Sequence, residues 1–218
     1  MRDRTARAQS DAGSVDTSLM STGSRQSLLL PRVFECLNGE PPYTVLDVGA
    51  GVPETILFLS QYRCRVHFAD LFDATELGDF PGEEADAYFD RVFAEHFSFP
   101  AGTQFDICLL WDFLNCLPVA GVQSFSRALR PFLHADSMGH GFGAFKTSVS
   151  ASRAPGSLSG YTYGVRSADE LMLRPRTSGL QVRHLHTRTT LAESLSCFTI
   201  SRGTLLRDGL MELLMQAR

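Results

Sequence analysis

The chain has 218 residues and a mass of 24.0 kDa, a size that suits one α/β domain. Apolar residues make up 44% and charged residues 20%, the balance of a globular protein that buries a core. The net charge of −4 gives no sign of wholesale binding to nucleic acid or to an anionic membrane surface.

In chain order, residues 1–22 are polar, rich in Ser and Thr and without period, so a disordered tail is expected there. The domain proper is expected over residues 23–218. SRQSLLLPRVFECLNG has apolar residues at helical spacing, with Gly39 as the stop and Pro31 as a kink or a split. YTVLDVGA reads as a buried strand and VPETILFLSQY as the helix after it. CRVHFADLF reads as a second strand ending at Asp70. EEADAYFDRVFAEHF has helical spacing that puts Tyr88, Val92 and Phe93 on one face.

FDICLLWDFLNCL holds a third strand, Phe105 to Trp111, continuously apolar as a central parallel strand is. VQSFSRALRPFL is an amphipathic helix, and GHGFGAFKTS a glycine-laced strand. Residues 148–160 are a loop rich in Ser, Gly and Pro, and SADELMLRP is a short helix or an extended lid piece. TLAESLSC is a helix that Thr189 or Thr190 can cap. CFTISRGTLLRDGLMELLMQ reads as two strands around the turn Arg207-Asp208-Gly209. The alternation of strands and helices implies a doubly wound, mostly parallel sheet with a C-terminal antiparallel hairpin.

The motif that carries chemistry is VLDVGAGVPE. Gly49 and Gly51 let the backbone approach a ligand closely. Pro53 fits the first helical turn, where its missing N–H costs nothing. A dinucleotide site has a third glycine that position 54 lacks, and no Gly-Lys-Ser/Thr of a Walker loop follows. Asp47 repels phosphates and can receive an ammonium. Asp70, on the order of twenty residues further on, can hydrogen-bond ribose hydroxyls. The expected ligand has a ribose and a positive charge, and no phosphate.

VLDVGAG, HFADLF and FDICLLWDFLNCL together resemble motifs of the class I S-adenosylmethionine-dependent methyltransferases. The resemblance covers residues 25–218 and implies a Rossmann-like sheet with an antiparallel final hairpin. It implies S-adenosyl-L-methionine as cofactor, with Asp47, Gly49, Ala50 and Gly51 at its methionine end and Asp70 on its ribose. Leu71 and Phe72 would flank the adenine, Glu95 would contact it, and Trp111 and Asp112 would edge the cofactor and face the substrate. The activity implied is methyl transfer to an unidentified acceptor, with a small molecule as the default. Asp112, or a residue between His134 and Gly160, would orient that acceptor. No Asn/Asp-Pro-Pro-Tyr-like segment follows the third strand, which counts against amino-methylation of nucleobases or glutamine.

Other readings stay open. Trp111 reads equally as core, and Asp112 equally as the cap of the next helix. The protein could be a non-catalytic scaffold of the same fold, or a nicotinamide-dependent oxidoreductase. His184 and His186 share a strand face, but with no third ligand they read as surface histidines and no metal is expected. Arg174, Arg176, Arg183 and Arg188 form a basic stretch best read as a solvated face. The glycines and His140 of GHGFGAF shape a substrate mouth or relieve packing. Cys36, Cys64, Cys108, Cys116 and Cys197 are odd in number and lack C-x-x-C spacing, so they read as reduced thiols of a cytoplasmic protein. No apolar run reaches membrane-spanning length, and the N-terminus has no apolar core of a signal peptide.

Overall fold

The computed structural model describes residues 22–39, 42–80, 82, 84–144, 160–181 and 184–218. All but Thr22 of the expected tail and all but Gly160 of the expected loop lie outside them. The chain opens with strand β1 (Gly23–Gln26) and helix α1 (Leu30–Phe34). It continues through β2 (Tyr43–Asp47), α2 (Pro53–Leu59), β3 (Cys64–Phe68), α3 (Ala85–His96), β4 (Phe105–Trp111), α4 (Val119–Leu129) and β5 (Leu133–Gly143). Beyond residue 160 come β6 (Tyr161–Val165), β7 (Glu170–Pro175), α5 (Arg188–Ser194), β8 (Phe198–Leu205) and β9 (Met211–Ala217).

The large sheet has the order β3-β2-β4-β5-β9-β8. Strands β3, β2, β4 and β5 are mutually parallel, and β9 is antiparallel to both β5 and β8. β4 lies between two parallel neighbours, so both its faces need covering. Six of its seven residues are buried, which is why it reads as an uninterrupted apolar run. From β2 the chain goes to β3 on one side, then returns to place β4 on the other. That reversal opens a crevice at the carboxyl ends of β2 and β4, the usual ligand position in such sheets.

The helix α3 buries Phe89, Val92 and Phe93, an i, i+3, i+4 stripe, and packs on α4. Tyr88, expected on that stripe, is only half-buried and donates its hydroxyl to the Glu76 carbonyl. Phe93, Phe97, Phe99, Phe105, Phe125 and Phe132 join edge-to-face and tilted, and weld these helices to the sheet.

The second sheet departs from the sequence reading. It is antiparallel, of order β1-β7-β6. The stretch read as one helix from Ser24 is split. Its first residues pair with β7, and Pro31 sits in the first turn of α1, where no N–H is required. SADELMLRP is extended as β7, and α5 is capped by Thr187, whose hydroxyl accepts from the Thr190 amide at 3.0 Å.

This small sheet rests on the start of α2. The Val165 amide donates to the Thr55 hydroxyl at 3.1 Å, and Arg174 forks onto Glu54 at 2.6 and 3.3 Å. A Cβ on Gly164 would come within 3.1 Å of the Val52 side chain and 3.2 Å of Glu54, so a bare backbone is what allows β6 to lie so close.

Candidate functional site

At the crevice lies a cavity of about 320 Å³, at the lower end of ligand-site sizes. Its floor is the glycine loop, Gly49 and Ala50, with Trp111 from the end of β4. Asp70, Phe72 and Asp73 form one wall. The small sheet supplies the roof through Tyr161, Thr162 and Tyr163, with Arg176 and Ser178 following β7.

Asp47 ends β2 fully buried. One carboxylate oxygen accepts from the Gly49 amide at 2.8 Å and from the Trp111 indole N–H at 2.6 Å; the other has no partner among the described residues. Burial pushes this carboxyl up to about 7, against the pull of the Trp111 and Gly49 bonds and with help from the charge of Asp70. Trp111 is itself buried, with φ of 49°, a left-handed conformation that costs a non-glycine residue roughly 1–3 kcal/mol. The indole lies flat on Tyr163, with centroids 5.1 Å apart and planes 2° from parallel. That stack and the bond to Asp47 hold the strained backbone.

Asp70 contrasts with Asp47. It too takes positive φ, 43°, but as an aspartate it tolerates this region, and it is exposed at the cavity mouth. Its carboxylate makes no side-chain hydrogen bond or ion pair among the described residues. Partial burial and the neighbouring Asp73 push it up.

Asp112 does not reach the cavity. It is buried beneath the roof, accepting from the Tyr161 amide at 3.2 Å and from Arg176 at 3.3 Å. Burial raises its carboxyl and Arg176 opposes that. Arg176 also donates to the Tyr161 and Leu180 carbonyls at 2.8 Å and stands 3.9 Å over the Phe72 ring. Asp112 therefore latches the small sheet.

Of the other expected residues, Gly49, Ala50, Phe72 and Trp111 are brought together at the cavity. Gly51 is outside it, against the Phe68 ring, and Leu71 is wholly buried in the core. Glu95 is a correction. It lies on the exposed face of α3, 3.6 Å from Arg91 one turn away, so helix periodicity turns it from the cavity. His186 is not a surface residue. It is buried, with Nε2 3.1 Å from the Leu114 and Leu117 carbonyls. Among the described residues no cluster of His, Cys, Asp and Glu is arranged to hold a metal. Arg176 is buried against Asp112 and does not belong to a solvated face, whereas Arg174, paired with Glu54, is partly exposed and Arg188 exposed; Arg183 lies outside the described residues. The sequence reading missed Tyr161, Thr162 and Tyr163. YTYGV alternates aromatic and β-branched residues, a short-strand signal hidden behind the preceding loop.

Behind Trp111, His140 is buried with Nε2 2.8 Å from Glu212, at a centroid distance of 6.2 Å from the indole. Glu212 also accepts from the Ser27 hydroxyl and the Leu28 and Leu29 amides. Burial pushes the Glu212 carboxyl up, but these donors and the His140 charge outweigh it and bring it down to about 2. This knot fastens the segment after β1 to β9. It assigns His140 to packing, not to a substrate mouth.

No family model and no curated protein matches the sequence. Solved structures do match the fold. The PH0226 protein from Pyrococcus horikoshii OT3 aligns with a TM-score of 0.51 at 12% identity, over 87% of this chain and 88% of that one. The likeness is one of fold, an α/β architecture on a mixed, mostly parallel six-stranded sheet. A Burkholderia thailandensis 1,6-didemethyltoxoflavin-N1-methyltransferase, with its substrate and S-adenosylhomocysteine bound, aligns at a TM-score of 0.46 and 18% identity over 88% of this chain and 76% of that one. The pyocyanin biosynthetic protein PhzM aligns at 0.44 and 13% over 88% of this chain, which spans 55% of the length of PhzM. Among the described residues no helix is long and apolar enough to cross a membrane.

Proposed function

We propose that the cavity binds S-adenosyl-L-methionine and that the protein transfers its methyl group to a small acceptor. The observation that carries this reading is the pair of acids at the carboxyl ends of two adjacent parallel strands, Asp47 the last residue of β2 and Asp70 two residues past β3. Asp47 is sealed, with one unpartnered oxygen, and Asp70 stands unpaired at the mouth of the same crevice. A ligand with a cation at one end and vicinal hydroxyls further along complements both. A pyrophosphate does not. Asp70 and Asp73 line the space with Asp47 buried behind Trp111, and the cation in the lining, Arg176, is paired with Asp112. This argues against a nicotinamide dinucleotide.

The residues present fit the cofactor. A Cβ on Gly49 would meet Asp47 Oδ1 at 3.1 Å and the indole at 3.3 Å, so the bare backbone keeps the cradle open. Asp70 would hold the ribose, Phe72 would flank the base, Gly49 and Ala50 would lie along the ligand, and Asp47 would receive the ammonium. When bound, the cofactor supplies an activated methyl group. The chain supplies position and dryness. Trp111 and Tyr163 wall the reacting end, and the Arg176–Asp112 latch holds the roof that excludes water. No side chain of the cavity stands out as a proton acceptor apart from Asp70 and Asp73, so the reaction rests on positioning.

Calorimetric titration with S-adenosylmethionine and S-adenosylhomocysteine tests this. The expected result is micromolar binding to the wild type, weakened about tenfold or more in Asp47→Ala and Asp70→Ala. No binding by the wild type favours the scaffold reading. Its own supporting observation is that the Trp111 N–H already occupies Asp47, where the ammonium must go.

A further inference from the structure

Five buried side-chain polar atoms among the described residues have no hydrogen-bond partner: Arg25 Nη1, Asp47 Oδ2, His67 Nε2, His140 Nδ1 and Tyr163 OH. Such groups are few in native proteins, and each leaves a free-energy cost that needs a reason. All but His67 belong to one column of rings. Asp47 holds Trp111, Trp111 stacks on Tyr163, and Tyr163 stacks on Phe142 at 5.3 Å and 15°. His140 meets Phe142 edge-on at 5.2 Å, and the Arg25 guanidinium stands 5.2 Å from the Phe142 centroid.

Two of these atoms are donors on the small sheet. Arg25 pairs with Leu171, and Leu171 pairs with Val165. Tyr163 is two residues from Val165, so Arg25 and Tyr163 project from the same face, toward Phe142. Arg25 spends its other terminal nitrogen on Asp208. Burial, with the charge of Asp112, holds the Tyr163 hydroxyl well above its usual range, so it remains a donor. Two unpaired donors on one face, one of them on the guanidinium that Asp208 pairs, call for an acceptor oxygen, and a carboxylate offers two. Tyr163 also lines the cavity, where Phe72, Trp111 and Tyr161 offer aromatic surface to a ring.

We propose that the acceptor is a small aromatic acid, its ring against Trp111 and Tyr161 and its oxyanion received by the Tyr163 hydroxyl and Arg25. This rests on the methyl-transfer reading and names its substrate class. A guanidinium edge and a phenol match a carboxylate with two converging bonds. A neutral amide in the same place would turn one of its own donors toward a donor.

Protein saturated with S-adenosylhomocysteine is titrated with benzoate, para-hydroxybenzoate and para-hydroxybenzamide. At least one acid is expected to bind, about tenfold or more tighter than the amide. Tyr163→Phe keeps the ring stack and removes only an unpaired hydroxyl. It should raise the melting temperature while weakening the acid about tenfold or more, and Arg25→Gln should weaken it similarly. The inference is overturned if neither acid binds, if the amide binds as well as the acid, or if Tyr163→Phe binds the acid like the wild type. Should S-adenosylhomocysteine itself not bind, the functional reading falls. The same titrations on the unliganded protein then decide the present inference by the same criteria.

Discussion

The two acids of the crevice, one behind the cavity lining and one in it, hold the same chemical group in opposite states. At the β2–β4 end, Asp47 is dry, covered by Trp111 and Tyr163, and half-satisfied. At the β3 end, Asp70 is wet and unpaired. What separates them is the small sheet, which roofs the first and stops short of the second. Burial thus lifts one aspartate to about 7, while its counterpart, also raised, stays exposed to solvent.

The largest expected effect comes from unlatching the roof. Arg176→Met leaves Asp112 buried without its cation and should cost about 3–5 kcal/mol in urea unfolding. A loss below about 1 kcal/mol would mean that the roof is not held by this pair. Next is Trp111→Phe, which keeps a ring on Tyr163 but takes the N–H from a buried carboxylate. It should cost about 1–3 kcal/mol, part of it returned by relief at the strained backbone. It should also move the Asp47 carboxyl further up.

The third effect is a pH dependence. The Asp47 carboxyl is lifted from an ordinary 3.8 to about 7. Between those values the folded chain holds a proton that the unfolded chain has lost, so this residue lowers stability as pH rises through that window. Asp47→Asn should flatten that part of the profile in thermal melts. Glu212 acts in the opposite sense. Its carboxyl is held at about 2 against an ordinary 4.5, so its contribution is complete above 4.5 and is lost as pH falls toward 2. The smallest effect on stability belongs to Asp70→Asn, expected within about 0.5 kcal/mol of wild type while cofactor binding weakens. A larger destabilisation would show that Asp70 supports the fold.

The same contrast explains what could be read from the chain. β4 was legible because burial on both faces writes an unbroken apolar run from Phe105 to Trp111. The glycine loop was legible because Pro53 suits the first turn of α2 and a Cβ on Gly49 would press on Asp47 and Trp111. The roof was not. Gly23–Gln26 becomes a strand only by pairing with Glu170–Pro175, a distant partner that local spacing cannot announce, and the helical pattern of the following leucines masked it. Asp112 misled for a related reason. Its position after a central strand suits a catalytic acid, and only the approach of Arg176 across the fold assigns it to the latch. Glu95 failed on helix phase alone, since the charged face of α3 points to solvent.

Trp111 is the sole tryptophan and lies between the acid and the roof, so its fluorescence reports directly on the site. S-adenosylhomocysteine should be titrated at pH 8, where Asp47 is ionised, into the wild type and into Asp70→Asn. The account predicts a saturable change in emission for the wild type, shifted to higher concentration in the variant. An emission that stays constant to millimolar ligand, or a response identical in both proteins, would contradict it.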